Sequence, residues 1–369
     1  MRSFRTSAVL SCLALALGVA ACGDDEEEGG AAAGGGEEQM EELEGTIAGA
    51  GASAQAAGQE AWIVGFQDIN PGVTVSYDPI GSGGGREQFI AGGTAYGGTD
   101  ATLEPEELEG ADERCGETLQ LPAYISPIAI AYNLPGVEQL QLSPEAIAGI
   151  FAQEITNWND PAIAETNPNA QLPDLRITPV NRSDESGTTE NFAEYLAEVA
   201  PEIWDFEVDG NWPVPGGEAA DGTSGVVAAI ERGEGAIGYS DASQVGDLSV
   251  ATVQVGEEFV APTPEAAAAI LEASEREERG GEGFFSYDLR RDTTESGTYP
   301  IVLVSYLLGC SQYEDENTAN ITKAFFEYIV SEEGQAAAQE NAGTAPLSDS
   351  LRQQIQPAVD AISAGGGAG

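Results

Sequence analysis

The 369-residue chain carries 63 acidic against 13 basic side chains, a formal net charge of -50, and no histidine. So few cations cannot neutralise a phosphodiester backbone, which excludes nucleic acid as a partner. The lack of histidine excludes a Ser-His-Asp triad, a Cys-His pair and any His-bearing zinc site. The one lysine, Lys323, sits in a helical pattern with Ile321, Phe325, Tyr328 and Ile329. No Walker-type phosphate loop, and hence no ATP hydrolysis, is expected. A hydrophobic content of 41% supports a packed core, and the length suits two domains.

The N-terminus reads as a targeting segment. Arg2 and Arg5 precede an apolar run over residues 8–21, too short for a standard transmembrane helix. The run ends in Val19-Ala20-Ala21-Cys22, which resembles the lipobox of bacterial lipoproteins. That resemblance implies a signal peptide over 1–21, cleavage before Cys22 and lipidation of Cys22. Residues 22–45 are mostly Gly, Ala, Asp and Glu and read as an acidic disordered tether. With Cys12 removed and Cys22 lipidated, Cys115 and Cys310 remain in an oxidising compartment and are expected to form a disulfide, two buried thiols being the alternative.

Beyond residue 45 a strand-loop-helix pattern recurs. Thr46-Ile47 leads through Gly49-Ala-Gly-Ala-Ser53 to a helix holding Trp62, Ile63 and Phe66. An alternating strand (Val73, Val75, Tyr77) leads through Ile80-Gly-Ser-Gly-Gly-Gly85 to a short helix with Phe89 and Ile90. Ser143-Pro144 opens a helix ending near Phe151. A strand with Leu175, Ile177 and Val180 leads through Arg182-Ser-Asp-Glu-Ser-Gly-Thr-Thr189 to an amphipathic helix with Phe192, Tyr195, Leu196 and Val199. Residues 121–132 and 299–308 read as two crossover strands, and 274–283 as a loop. Helices are expected near 318–330 and 348–362. Strands alternating with helices indicate an α/β fold.

Three of these turns carry a serine among small residues: Ser53, Ser82 and Ser186. Unpaired N–H groups and the helix dipole make each helix start an anion acceptor, although serine there is ordinarily a cap. Arg182 adds a cation to the third turn, with pairing to Asp184 or another surface acid as the plain alternative.

The segments quoted above, together with Tyr96-Gly-Gly-Thr-Asp-Ala101, Tyr132-Asn-Leu-Pro-Gly136 and Gly235-Ala-Ile-Gly-Tyr239, resemble the phosphate-binding proteins of bacterial phosphate ABC transporters. The likeness runs in order over about 46–362. It implies a two-domain periplasmic-binding-protein-like fold of type II, with the ligand cleft between domains joined by two crossover strands. Domain I would comprise 46–120 plus 300–369, and domain II 121–299. The implied ligand set is Ser53, Ser82, Asp100, Arg182, Ser186, Gly187 and Thr188, with Asp184 orienting Arg182 and with no metal and no cofactor. The implied function is non-enzymatic: extracytoplasmic capture of inorganic phosphate and delivery to the permease subunits of an ABC importer. The protein would be a monomer, lipid-anchored to the outer face of the cytoplasmic membrane or periplasmic. The alternatives are another oxyanion (sulfate, molybdate or arsenate), a phosphate sensor, or an extracellular phosphatase-like enzyme on the same fold.

Asp100 carries the expected selectivity. Phosphate keeps at least one P–OH proton at neutral pH and sulfate has none, so a buried carboxylate accepts from the first and repels the second. Leaving buried polar groups unpaired costs about 1–3 kcal/mol, roughly tenfold to hundredfold in affinity. Three departures from the pattern stand out: Ala54 where phenylalanine is usual, Gly85-Arg86, and Glu185 where glycine is common. Glu185 is expected to weaken affinity through its negative charge.

Overall fold

The structure, a computed structural model, describes residues 43–365. The expected signal peptide, the lipidated Cys22 and the tether up to residue 42 lie outside the described residues. Among the described residues no helix is long and apolar enough to cross a membrane.

Three βα units open the fold: β1 (Gly45–Gly51) with α1 (Ala56–Ile69), β2 (Val73–Asp78) with α2 (Ser82–Ile90), and β3 (Tyr96–Thr99) with α3 (Pro105–Cys115). The 15-residue β4 (Thr118–Tyr132) leads to β5 (Gln141–Leu142), α4 (Pro144–Phe151) and α5 (Pro161–Thr166). A second βα series follows: β6 (Thr178–Arg182), α6 (Gly187–Val199), β7 (Glu218–Ala220), α7 (Gly222–Arg232) and β8 (Ala236–Asp241). Short strands β9 (Ser249–Val250), β10 (Thr252–Val255) and β11 (Glu258–Val260) precede α8 (Pro264–Ala273) and the pair β12 (Glu275–Arg276) and β13 (Tyr287–Asp288). Then come β14 (Val302–Cys310), β15 (Gln312–Tyr313), α9 (Glu316–Val330), α10 (Glu332–Ala342), α11 (Asp349–Asp360) and β16 (Ser363–Ala364).

The main sheet has the order β2-β1-β3-β14-β4-β8-β6-β7, with β9 pairing β4. Parallel pairs lie at both ends, and β14 and β4 run antiparallel between them. Every residue of β4 and β14 is buried, which explains their near-continuous apolar sequence: a strand covered on both faces has no polar side to alternate with. The register slips by one residue between Ser305 and Tyr306, opposite Tyr124 and Pro122. A bulge tolerates a proline that cannot donate to the ladder, and it re-aims the side chains beside it. Cys115, ending α3, and Cys310, ending β14, form the expected disulfide across 195 residues of chain.

Several boundaries differ from the sequence reading. β6 starts at Thr178, because Trp158 N donates to the Leu175 carbonyl and Ile177 N donates to Thr156, both in a neighbouring loop. β14 starts at Val302, past Pro300, and the 274–283 loop contains the two-residue β12. Helix α10 lacks an apolar stripe, since its buried residues are Gly334, Gln335, Ala338 and Ala342. These small groups let α10 approach closely enough for Trp62 Nε1 of α1 to donate to the Gly334 carbonyl at 2.8 Å.

Candidate anion site

Ser53, Ser82 and Ser186 all stand where a strand hands over to a helix, yet only Ser186 caps its own helix. Its Oγ accepts from Thr189 N at 3.3 Å. Ser53 opens a 3-10 turn (Ser53–Gln55) ahead of α1, and Ser82 is the first residue of α2; neither makes a side-chain cap. Ser53 Oγ instead accepts from Thr223 N at 3.1 Å and lies 2.9 Å from Thr223 Oγ1, at the start of α7. Ser82 Oγ accepts from Asp100 N at 3.2 Å. All three serine oxygens thus already accept a main-chain N–H. A hydroxyl has one proton to give; those of Ser82 and Ser186 remain to be donated, while Ser53 and Thr223 share a hydroxyl–hydroxyl bond whose proton either can supply.

Asp100 follows β3 on a turn and is 3% exposed. One carboxylate oxygen accepts from Ser305 Oγ at 2.6 Å, the other from Thr188 Oγ1 at 3.2 Å. Its carbonyl accepts from Asn191 Nδ2 at 2.6 Å. Burial pushes its pKa up to about 6, against the opposing pull of Ser305, Thr188, Arg182 and Arg86. Gly187, the first residue of α6, lies against the same turn. A Cβ there would stand 2.8 Å from Ala101 N and from the Asp100 carbonyl carbon. Only glycine lets the positive end of α6 press this close to the Asp100 main chain.

Arg182 ends β6 rather than opening α6, and its side chain is buried. It holds Asp184 at two points, through Nε at 2.7 Å and through Nη2. Asp184 Oδ1 also accepts from Gly222 N at 3.0 Å. Burial alone would raise the Asp184 pKa, but the Arg182 bonds and charge, with Gly222 N–H, hold it below the ordinary aspartate value. Gly81 brings the start of α2 to this pair: its φ is +92°, and a Cβ would lie 2.5 Å from Asp184 Oδ2. The expected residues therefore form one connected cluster drawn from the starts of α2, α6 and α7, the turn before α1, and the ends of β3 and β6.

Residues 32–333 match the family model of the PBP superfamily domain. The chain is 34% identical over 323 residues to phosphate-binding protein PstS 3 of Mycobacterium tuberculosis, covering 86% of this chain and 87% of that protein. It is 34% identical over 320 residues to phosphate-binding protein PstS of Pasteurella multocida, covering 84% and 89%. The chain belongs to the phosphate-binding protein family. Its fold is that of the high-affinity periplasmic phosphate-binding protein PfluDING solved with phosphate, with a TM-score of 0.71 over 85% of this chain and 93% of that one at 22% identity. The α/β periplasmic-binding-protein-like architecture expected from the sequence is thereby established.

This member of the phosphate-binding protein family uses more residues around the cluster than sequence reasoning identified. Thr223 holds Ser53, Ser305 and Asn191 hold Asp100, and Gln244 Nε2 donates to the Ser53 and Ala54 carbonyls at 3.0 and 2.9 Å. Tyr239, quoted above only as part of a motif, accepts from Arg182 N at 3.3 Å and lies 2.8 Å from Thr189 Oγ1. Asp221-Gly-Thr-Ser-Gly225 has the small-residue composition of the other helix starts and could have been read as a fourth. Glu185 does not stand as a bare charge: Arg86 Nη2 donates to it at 2.6 Å. Beside Asp100 a cavity of about 540 Å³ is lined by Glu104, Glu190, Glu194 and Glu198 together with Arg279 and Arg291. Burial pushes Glu190 up to about 8.

Proposed function

We propose that this chain captures inorganic phosphate outside the cytoplasmic membrane and hands it to the permease subunits of an ATP-driven importer, binding without catalysis. The observation that carries this reading is the polarity of the cluster. Three serine hydroxyls can donate, helix starts add N–H groups, Arg182 adds a cation, and Asp100 adds one buried acceptor. Such a set fits a tetrahedral anion that still carries a proton. The family to which the chain belongs supports the same reading.

In this proposal Ser53, Ser82, Arg182, Ser186 and the Gly187 and Thr188 amides donate to phosphate oxygens. The Thr188 hydroxyl turns from Asp100 to the ligand, and the freed Asp100 oxygen accepts the P–OH proton. Asp184 keeps the Arg182 guanidinium in plane. Residues 46–120 with 300–369, and 121–299, act as two lobes that close on the ligand, since an anion stabilises closure only by touching both. Cys22 carries the lipid that keeps the chain at the membrane. Isothermal titration of the purified chain tests the reading. One phosphate per chain, with sulfate not competing at pH 8, is expected; tight sulfate binding without a response to phosphate refutes it.

A further inference from the structure

Arg86 lies on α2, packed beside β1 and β3, whereas Glu185 lies on the segment from β6 to α6, towards the other end of the main sheet. Their side chains meet at 2.6 Å. Gly83 N also reaches the Glu185 carbonyl at 3.4 Å, so the main chains are in apposition there too. Arg86 is 4% exposed, and its guanidinium makes two further contacts: Nε donates to Glu107 at 2.9 Å and Nη1 reaches Thr99 Oγ1 at 3.4 Å. Thr99 precedes Asp100. One side chain therefore ties α3, the Asp100 turn and the Arg182-to-Ser186 segment together. Both residues stand at positions where the sequence departs from the pattern it otherwise resembles, and here the two departures are each other's partner.

We propose that Arg86 and Glu185 are positioning residues for phosphate retention: their ion pair forms only when α2 and the β6–α6 segment close on the anion, and it holds them there. The proposal rests on the phosphate-binding reading above. Glu185, by its charge alone a detriment to an anion site, becomes a contributor to affinity because its charge is taken up by Arg86. A contact present only in the closed state shifts the opening equilibrium by its own free energy and acts on release rather than on capture. Glu107 and Thr99 keep Arg86 in place while the cleft is open, so closing requires little further ordering of that side chain.

The test measures inorganic phosphate binding and release by stopped flow on the full chain, in wild type, Glu185→Gln, Arg86→Gln and the double variant. Glu185→Gln is expected to raise the dissociation rate about tenfold with the association rate unchanged. Glu185 has a side chain 40% exposed on a connecting segment, so the melting temperature of the ligand-free protein should stay the same. Arg86→Gln, which also loses Glu107 and Thr99, should release phosphate at least as fast, and the double variant should be no faster than Arg86→Gln, because the Arg86–Glu185 pair is already gone there. A wild-type release rate in Glu185→Gln, or effects that multiply in the double variant, overturns the proposal. Should Arg86→Gln fail to fold, Glu185→Gln and Glu185→Lys decide alone, the lysine variant releasing faster still. Wild type that binds no phosphate refutes the proposed function itself. Wild type that binds while Glu185→Gln behaves identically refutes only the positioning role.

Discussion

Replacing Asp100 with asparagine changes one atom and reverses one direction of hydrogen bonding. The carboxylate accepts from Ser305 Oγ at 2.6 Å and from Thr188 Oγ1 at 3.2 Å, so it has an acceptor on each side. Asparagine keeps one. With its oxygen on Ser305, its NH₂ faces the position at which a P–OH would donate, and donor meets donor. A hydrogen bond to a charged group contributes about 1.5–3 kcal/mol, so phosphate affinity should fall roughly 10- to 150-fold. Sulfate has no proton to place, and the new NH₂ can donate to it, so sulfate binding should hold or improve. Titration calorimetry of both anions at pH 8 measures the ratio, with Asp100 ionised because its pKa lies near 6. At pH 5 the wild-type carboxyl is protonated in the ligand-free protein and can itself donate, so wild type should begin to accept sulfate. Equal losses for the two anions in Asp100→Asn, or undiminished sulfate rejection by wild type at pH 5, would show that Asp100 does not set selectivity.

Gly187→Ala should weaken phosphate binding roughly 5- to 150-fold, the equivalent of about 1–3 kcal/mol of overpacking, because its Cβ meets main-chain atoms of Asp100 and Ala101 at 2.8 Å; calorimetry reads it directly. Opening the Cys115–Cys310 bond, which closes 195 residues of chain, should cost about 2–5 kcal/mol in a denaturant titration with and without reductant. The folded-state pKa values of Asp100 and Asp241 are raised by burial to about 6 and that of Glu190 to about 8. The folded state therefore holds these protons more tightly than the unfolded chain, and that stabilisation is full below about pH 4 and is lost as pH rises through 6 and then 8. The melting temperature of the ligand-free protein should fall between pH 5 and 8, and Glu190→Gln should flatten the decline. An unchanged slope in that variant would remove Glu190 from the account.

Local chemistry made the helix starts legible. Gly81-Ser82 and Ser186-Gly187 are small, polar residues between an extended segment and an amphipathic one, and that composition alone marks a strand-to-helix turn. The two long buried strands were equally plain as apolar runs. The partners that fix the cluster were not legible, because each arrives from far along the chain: Thr223 is 170 residues from Ser53, Ser305 is 205 from Asp100 and Asn191 is 91 from Asp100. Ser305 sits in an otherwise apolar strand and reaches Asp100 beside a register slip that no short-range pattern encodes. Helix α10 escaped notice for the opposite reason, since its buried face is made of glycine and alanine and leaves no hydrophobic period. The charge of Glu185 is visible in the sequence, whereas the Arg86 guanidinium that meets it comes from 99 residues earlier in the chain.

The acidic wall beside Asp100 bears on how an anion reaches the site at all. Arg182 and Arg86 are buried and each is already held by a carboxylate, so neither projects much attraction into solution, while Glu104 and Glu198 line the adjoining cavity beside the Arg291–Glu194 pair, under a net charge of -50. By its net charge the chain repels an incoming phosphate at long range. Dissolved ions shorten the reach of that field from about 10 Å at 0.1 M to about 3 Å at 1 M. Most anion-binding surfaces recruit their ligand fastest in dilute solution, where long-range attraction is unscreened. The net charge of -50 gives this chain the opposite electrostatics, and phosphate association measured by stopped flow should quicken as salt is added.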